Sequence, residues 1–318
     1  MRRVQGLLSW ALEWPQLLKA AQRARRGKRN QQGVLRFHTR LGDELARLRE
    51  DLAAGIWCPS DPYEFHILDP KPRWISAAPY RDRVVHQILC GAFEPLLERR
   101  LLSGCVANRR GLGVDAGLRR ARRLVQRHPW VLRLDIKKYF GSLDHELLKA
   151  QLRRLIKDRQ YLDVMDCIID HGRNPERVQH WFGDDSLFDC LRPHGLPVGN
   201  LTSQHFGNLY LMPVDRRIEA AGLPWVRYVD DLLIGGSKAD LINLHREIEV
   251  ELAKLRLRPN LNKTFLCPSS EPIAFLGYLV QRDRPLRANS KRRRRWGKLK
   301  AQSGSRAAAG RGLLGRCR

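Results

Sequence analysis

The 318-residue sequence lacks the features that mark secreted and membrane proteins. It has no Cys-x-x-Cys pair, and its cysteines are scattered and odd in number, at positions 58, 90, 105, 167, 190, 267 and 317. This usage is typical of free thiols in a reducing compartment. The N-terminal apolar residues from Leu7 to Leu18 follow helical spacing and are interrupted by Glu13, so they predict neither a signal peptide nor a membrane span. We expect a cytoplasmic protein with no membrane partner and an N-terminal docking helix.

Acidic residues are also scarce. The chain has 33 Asp and Glu against 59 Lys and Arg, a formal net charge of +26. An imbalance of this size favours a nucleic-acid partner over a surface that is charged only for solubility. From Arg284 onward there are thirteen basic residues and no acid, and the last residues are Ala-, Gly- and Arg-rich. These last residues, 301–318, are not predicted to pack.

The rest of the chain has the composition of a folded protein, since 43% of its residues are hydrophobic. No internal repeat is apparent, and the length suits two or three subdomains. Apolar periodicity predicts amphipathic or buried helices around residues 42–52, from Arg83, at about 145–156 and at 241–257. Strands are predicted for "WVLRLDI" and "IAFLGYLV", with short strands in the Pro-containing stretch 58–74.

The segment "VRYVDDLLIG", residues 226–235, contains the least expected pattern. Two apolar runs separated by two residues predict a β-hairpin with Asp230 and Asp231 at its turn. Such turns normally contain Gly or Asn, and two adjacent carboxylates repel each other unless a cation lies nearby. An isolated acidic pair is most often a solvated turn. The interpretation therefore depends on the other acids.

A second acid, Asp135, ends the predicted core strand in "VLRLDIKKYFGSLDH". Adjacent strands lie about 5 Å apart, so this carboxylate and that of Asp230 can meet at one edge of a sheet. Such a site suits two Mg²⁺ ions about 4 Å apart, as in two-metal nucleotidyl transfer, with Mn²⁺ as a possible substitute. For Asp135 alone, an N-terminal cap of a helix is an equally good explanation.

Residues 171–194 are predicted to be a loop-rich insertion. This segment includes His180, Cys190 and His194, which are residue types that bind zinc. Their spacing does not match a zinc site, and ordinary loop residues are the favoured interpretation.

Seven blocks follow one another in an order typical of one enzyme family. They are "PKPRWISAAPYRDRVVHQ", "ANRRGLGVDAG", "LRLDIKKYFGSLDH", "GLPVGNLTSQHFGNLYL", "RYVDD", "LNKT" and "FLGY". Over residues 60–282 the chain resembles bacterial retroelement-type reverse transcriptases. The "ANRRGLG" block, and the hydrophobic residue before Gly199 followed by "NLTSQ", resemble the enzymes of diversity-generating retroelements.

The resemblance implies an α+β right-hand polymerase fold with fingers, a palm whose antiparallel sheet carries the acids, and a short thumb. Residues 1–84 would form N-terminal helices and fingers. Residues 85–283 would form the palm, with the remaining finger elements and the insertion. Residues 284–318 would be a basic, reduced or partly disordered thumb.

The resemblance also implies roles for individual residues. The metal ligands would be Asp135, Ile136, Asp230 and Asp231, and Lys263 would be a possible general acid for pyrophosphate. Phe140 would lie under the sugar of the incoming nucleotide and exclude a 2′ hydroxyl. The alternative for Phe140 is an aromatic residue of the core, and the alternative for Lys263 is a solvated surface lysine.

The other implied site residues bind substrate. Four are basic residues of the fingers that would hold the triphosphate and the template, although one of them, Arg83, is equally able to pair with an acid. Five more flank the nucleotide and template. These nine residues are Lys71, Arg73, Arg81, Arg83, Val198, Gly199, Ser203, Gln204 and Tyr228.

The implied partners are a template RNA, its cDNA, dNTPs and a small accessory RNA-binding oligomer, in an element that makes cDNA with errors at template adenines. A related enzyme of a retron or of antiphage defence would keep the same three acids. A catalytically silent RNA-binding protein is disfavoured by the intact acids and Lys263. The tail does not resemble the family's packed helical thumb, which leaves the grip on the duplex to be explained.

Overall fold

A computed structural model describes residues 3–68, 73–172, 174, 177–178, 180–183, 186 and 191–290. Predicted features at Lys71, Cys190 and 291–318 lie outside these residues. The N-terminal region begins with four helices: α1 (Leu7–Ala11), α2 (Trp14–Arg25), α3 (Gln32–Thr39) and α4 (Leu41–Ala54). The single docking helix predicted here is divided at Leu12 and Glu13, because Pro15 begins a new helix in α2.

A two-stranded hairpin and a long helix follow. Strands β1 (Tyr63–Ile67) and β2 (Arg73–Ala77) pair antiparallel, and α5 (Tyr80–Glu98) is the buried helix predicted from Arg83. Helix α5 contacts α1, α2 and α3. Most of its buried residues, including Val84, Ile88 and Phe93, belong to the larger of the two hydrophobic clusters. It therefore connects the N-terminal helices to the rest of the chain.

The central element is a four-stranded antiparallel sheet in the order β4-β5-β3-β6. Its strands are β3 (Trp130–Leu134), β4 (Trp225–Tyr228), β5 (Asp231–Gly236) and β6 (Phe265–Pro268). Helix α6 (Val114–Arg127) precedes β3. Between the strands in the chain lie α7 (Tyr139–Ser142), α8 (His145–Leu155), α9 (Arg159–His171), α10 (Leu201–Tyr210), α11 (Met212–Ala220) and α12 (Lys238–Lys254). Mixed helices and antiparallel sheets confirm the predicted α+β class.

The two faces of this sheet pack against different helices. Leu132 and Ile234 point into the larger cluster, which also contains the buried residues of α8, α10 and α12. Their strand neighbours Val131 and Leu233 point into a second cluster with α6. This alternation is the two-residue period of a strand that is buried on both faces.

The last described elements form a three-stranded sheet of β7 (Ile273–Phe275), β8 (Tyr278–Gln281) and β9 (Arg284–Ala288). The prediction of one strand for "IAFLGYLV" is wrong, because the chain reverses at Leu276 and Gly277, which both have positive φ. Strand β9 pairs with β8, so the first residues of the basic segment belong to this sheet.

No helix among the described residues is long and apolar enough to cross a membrane. The five described cysteines are all free thiols.

Candidate active site

The acids singled out in the sequence meet at one end of the four-stranded sheet. Strand β3 pairs antiparallel with β5, and its last residue, Leu134, lies opposite Leu232. Asp135 follows Leu134, and Asp231 precedes Leu232, so the two acids continue the same pairing by one step. Strand β5, which begins at Asp231, is the neighbour of β3, whereas β4, which leads to Asp230, is separated from β3 by β5. Asp135 is only 6% exposed, so its carboxylate is held away from bulk water.

The turn of the β4–β5 hairpin differs from the predicted one by one residue. Tyr228 pairs directly with Asp231, which leaves Val229 and Asp230 as the two connecting residues. Val229 has a φ of 59°, a conformation that a β-branched residue rarely adopts. Asp231 is thus the first residue of β5 rather than part of the turn. Strain of this kind persists only where neighbouring contacts enforce it.

A buried ion pair under the turn supplies those contacts. The Arg227 guanidinium donates to both carboxylate oxygens of Asp215, at 2.6 and 2.5 Å, and both side chains are 1% exposed. Its Nη1 also donates to the main-chain carbonyl of Val229 at 2.9 Å and to Asn208 Oδ1 at 3.3 Å. Asn208 in turn donates to the carbonyl of Ala107. The turn that carries Asp230 is therefore fixed to α10 and α11.

Asp231 is held by a different arginine. Arg133 Nε lies 3.4 Å from Asp231 Oδ1. The pKa of Asp231 is raised from its usual 3.8 to about 6, chiefly by burial and also by the charges of Asp230 and Asp135, while Arg133 opposes the shift. Three carboxylates that affect one another in this way form an electronegative centre that favours a cation.

Asp135 faces a lysine. Lys263 Nζ lies 2.7 Å from each carboxylate oxygen of Asp135, and Asn260 Nδ2 donates to Oδ1 at 2.9 Å. The main-chain N–H of Asn260 donates to the carbonyl of Asp135 at 2.7 Å, which docks the loop before β6 on the end of β3. Sequence analysis identified Lys263 but missed Asn260, since a single Asn before "LNKT" carries no signal of its own.

The donor set fits a hard divalent cation, since all three side chains supply carboxylate oxygen. Ile136 is 4% exposed and has a hydrocarbon side chain, so only its main-chain oxygen is a possible ligand. Among the described residues no group of three or more His, Cys, Asp or Glu is gathered closely enough to hold a metal ion. In this arrangement the Lys263 ammonium is the cation that neutralises Asp135.

Phe140 lies on α7 near these acids in the chain. Its ring packs at 5.3 Å from that of Tyr139, with an interplanar angle of 54°, and it is partly buried against the larger cluster. A Cβ on Gly207 of α10 would lie 3.3 Å from the Phe140 ring, so this glycine allows the close approach. Phe140 therefore combines a packed edge with an exposed one.

Four of the predicted substrate-binding residues lie just before or within α10, and the structure places them in different surroundings. Gly199 has a φ of 113°, and a Cβ there would lie 3.5 Å from Ile75, so Gly199 faces β2, while Val198 before it is half-buried. Ser203 is 2% exposed, which does not place it on a surface that nucleic acid reaches. Gln204 lines a cavity of about 370 Å³ with Arg23, Arg26 and Arg110. Tyr228 is half-buried beside the acids.

The basic residues predicted for the fingers are only partly described. Arg73 lies in β2, and Arg81 pairs with Asp51 at 2.5 Å. Arg83 and Arg81 line a cavity of about 560 Å³ together with Lys28. Burial lowers the pKa of the Lys28 ammonium, and the charge of Arg83 lowers it further. Arg83 forms no ion pair with another described residue, whereas Arg81 does.

The alternative zinc site gains no contact from the structure. His194 Nδ1 forms a hydrogen bond of 2.8 Å with the carbonyl of Arg192, and Cys190 lies outside the described residues. The favoured interpretation of His180 and His194 as ordinary loop residues is unchanged.

Comparison with known proteins gives the family. Residues 69–280 match the model of the reverse transcriptase (RNA-dependent DNA polymerase) family, which is more than half of the chain and includes all three acids. A COX1/OXI3 intron 1 protein of Saccharomyces cerevisiae is 23% identical over 66% of this chain and 31% of its own length. Protein YkfC of Escherichia coli is 24% identical over 78% of this chain and 74% of its own length.

A third relative, nuclear intron maturase 1 of Arabidopsis thaliana mitochondria, is 26% identical over 34% of this chain and 15% of its own length. The chain thus spans about a third or less of the yeast and plant proteins. The matched segment contains β3, the β4–β5 hairpin and Lys263, which are the elements that assemble the candidate site. The chain belongs to the reverse transcriptase family, the RNA-directed DNA polymerases among the nucleotidyltransferases.

Proposed function

We propose that this chain copies an RNA template into cDNA by adding dNTPs to a primer. The single observation that carries the proposal is the placement of Asp135, Asp230 and Asp231 at one end of a sheet that lies within the family match. Two adjacent strands and a fixed turn place the three acids at the same end of the sheet, from positions about 95 residues apart in the chain.

Asp135, Asp230 and Asp231 would hold two Mg²⁺ ions, which Mn²⁺ is expected to replace. Bound there, such ions activate the 3′ hydroxyl of the primer and neutralise the charge of the triphosphate. Lys263 would exchange its contact with Asp135 for the β and γ phosphates, where its ammonium can donate a proton to pyrophosphate. Arg83, and Lys71 and Arg73 on the same segment, would bind the triphosphate and the template.

We further propose that the cDNA serves mutagenic retrohoming in a diversity-generating retroelement in the cytoplasm, with a small accessory RNA-binding oligomer. The support is the resemblance at residues 107–113 and 198–204. The fingers, palm and short-thumb division belongs to the same proposal.

A second candidate is an intron-associated enzyme, because two relatives are named as an intron protein and an intron maturase. A near-repeat pair in the flanking DNA, differing mainly at adenines, would favour the first. Its absence would favour intron association or antiphage defence.

The test of the polymerase activity is Asp230→Asn. We expect the variant to lose Mg²⁺-dependent dNTP incorporation on a primed RNA template, because an amide cannot hold two cations against the triphosphate. Template binding should be retained. Asp163→Asn is a matched control, since Asp163 is exposed on α9. Incorporation by Asp230→Asn at the rate of the control would show that the hairpin does not carry the catalytic acid.

A further inference from the structure

Helix α6 has a basic face that the catalytic site does not use. One side of the helix is apolar and packs against β4, β5 and β8. The opposite side carries arginines, of which Arg120 is half-buried and the others are exposed: Arg119, Arg120, Arg122, Arg123 and Arg127. At 1.5 Å per residue, Arg119, Arg123 and Arg127 form a stripe with a spacing of about 6 Å. This spacing is comparable to that of successive phosphates on a nucleic-acid strand.

The arginines of this face have no acidic partners. None of the five forms an ion pair with another residue in the part of the chain that the structure describes, and Arg120 donates to the carbonyl of Ser103. Within α6 the one acid is Asp115, in the first turn. Arg109 and Arg110, just before α6, are by contrast neutralised by Glu98 and Glu94. Unneutralised like charges repel one another, so this face favours an anionic partner.

The C-terminal half of the face borders a groove of about 550 Å³ between α6 and the connection from α11 to β4. Arg120, Arg123 and Arg127 line one side, and Glu219 and Trp225 lie on the other. Glu219 accepts a hydrogen bond from Trp225 Nε1 at 2.8 Å and forms no ion pair with another described residue. The groove therefore presents guanidinium groups to solvent.

This groove lies at the opposite end of the sheet from the acids. Asp231 begins β5 beside the catalytic end, and Gly236 ends β5 opposite Trp130, next to His128 at the edge of the groove. Five steps along a strand cover on the order of 17 Å. A nucleotide bound at Asp135, Asp230 and Asp231 is therefore too far away to reach Arg127, at the end of α6 beside His128.

We propose that the arginine face of α6 binds the phosphate backbone of a folded part of the RNA, outside the segment that is being copied. The proposal rests on the proposed polymerase function, since it assigns a second contact to the same RNA. None of the large exposed hydrophobic side chains among the described residues lies on α6, and protein interfaces normally centre on such residues. The planar guanidinium group binds phosphate through two parallel hydrogen bonds.

The test compares two triple variants with the same change in charge. The first is Arg119→Gln, Arg123→Gln and Arg127→Gln. The control is Arg154→Gln, Arg159→Gln and Arg246→Gln, three arginines that are also exposed on helices and form no ion pair with a described residue. The probes are a stable RNA hairpin without a primer and a short primed RNA template. Circular dichroism must show that both variants fold as the wild type does.

We expect the α6 variant to bind the hairpin at least tenfold more weakly. The slope of log K against log salt should become shallower by roughly 2, because each lost phosphate contact changes this slope by about 0.7–0.9. The control should change both values much less. Incorporation on the short primed template should be unchanged. Two results would overturn the proposal: equally weakened hairpin binding in both triple variants, or a loss of incorporation on the short primed template in the α6 variant. Wild-type incorporation tests the polymerase function separately.

Discussion

Arg227 donates to the carbonyl of Val229, 2.9 Å away, while its other nitrogens bind the buried carboxylate of Asp215. The contact spans only two residues along the chain but connects the turn beside Asp230 to helix α11. Burial raises the pKa of the Asp215 carboxyl, and the facing guanidinium opposes this shift. A pair this deeply buried is stabilising only while both partners remain. We therefore infer that Arg227 positions the turn that carries the proposed catalytic acid Asp230.

We expect Arg227→Lys to lower the rate of dNTP incorporation about tenfold or more, because an ammonium group cannot bind Asp215 and reach Val229 together, and a hydrogen bond from a charged group contributes about 1.5–3 kcal/mol. Template affinity should change little. The measurement is single-turnover incorporation, with separate values for the maximum rate and the half-saturating Mg²⁺ concentration.

Arg217→Lys is the matched control, since Arg217 forms an exposed pair with Glu247 at 2.6 Å. It should behave as the wild type. Because Asp215→Asn removes one partner of the buried pair, it should cost about 3–5 kcal/mol in unfolding free energy. If Arg227→Lys folds stably and keeps the wild-type rate and Mg²⁺ dependence, the turn does not depend on this contact.

The hairpin illustrates what sequence does and does not predict. Two apolar runs separated by two residues predicted the β4–β5 hairpin, and its acids lie at one end of the sheet beside the end of β3. The exact turn was missed because a valine with positive φ contradicts local preference, and only the tertiary contact with Arg227 explains it. Arg227 itself was missed because an arginine in a strand is usually solvated. Its partner Asp215 is separated from it by a loop and shows no pattern.

Asp231 gives a pH dependence with a definite sign. Its pKa is about 6 in the folded chain and usually 3.8, so the protonated acid stabilises the folded state below pH 3.8. This contribution is lost as the pH rises through 6. Relative to the wild type, Asp231→Asn should therefore gain up to about 2–3 kcal/mol of unfolding free energy between pH 4 and pH 7.

Denaturant unfolding in EDTA at both pH values measures this difference, and Asp163→Asn should show none. Added Mg²⁺ should also reduce it, because the cation and the proton compete for one carboxylate. A difference between Asp231→Asn and the wild type that stays constant from pH 4 to pH 7 would show that Asp231 is solvated in the folded chain.

The Asp135–Lys263 contact predicts opposite effects on metal binding and on catalysis. Lys263→Met removes the ammonium 2.7 Å from both oxygens of Asp135. The apo protein should then bind Mn²⁺ more tightly, because the cation no longer competes with the lysine, whereas incorporation should slow by about a hundredfold, within the range for loss of a general acid. Electron paramagnetic resonance of free Mn²⁺ measures the first effect.

Lys254→Met is the control for this prediction, since Lys254 is exposed and pairs with Glu251 on α12. If Lys263→Met bound Mn²⁺ more weakly and Lys254→Met did not, the lysine would be organising the carboxylates rather than competing with the metal. Sequence could place Lys263 near phosphate only through the family resemblance. The ion pair with Asp135 depends on Asn260, which fixes the loop and has no sequence signal.

Phe140 offers the sharpest test of substrate choice. Its ring is packed on one side by Tyr139 and Gly207 and only partly buried, so removal of the ring opens space without touching the three acids. Phe140→Ala should admit rNTPs and lower the dNTP-to-rNTP preference by at least tenfold, because the steric barrier to a 2′ hydroxyl is gone. Phe140→Leu keeps most of the volume and should retain most of the preference. Single-nucleotide incorporation with dNTP and rNTP pairs measures both variants.

A partly buried ring also contributes to stability, so thermal unfolding must first show that Phe140→Ala is folded at the assay temperature. A folded, active Phe140→Ala with the wild-type preference would assign the ring to the core alone, and discrimination would then have to come from another side chain beside Asp135.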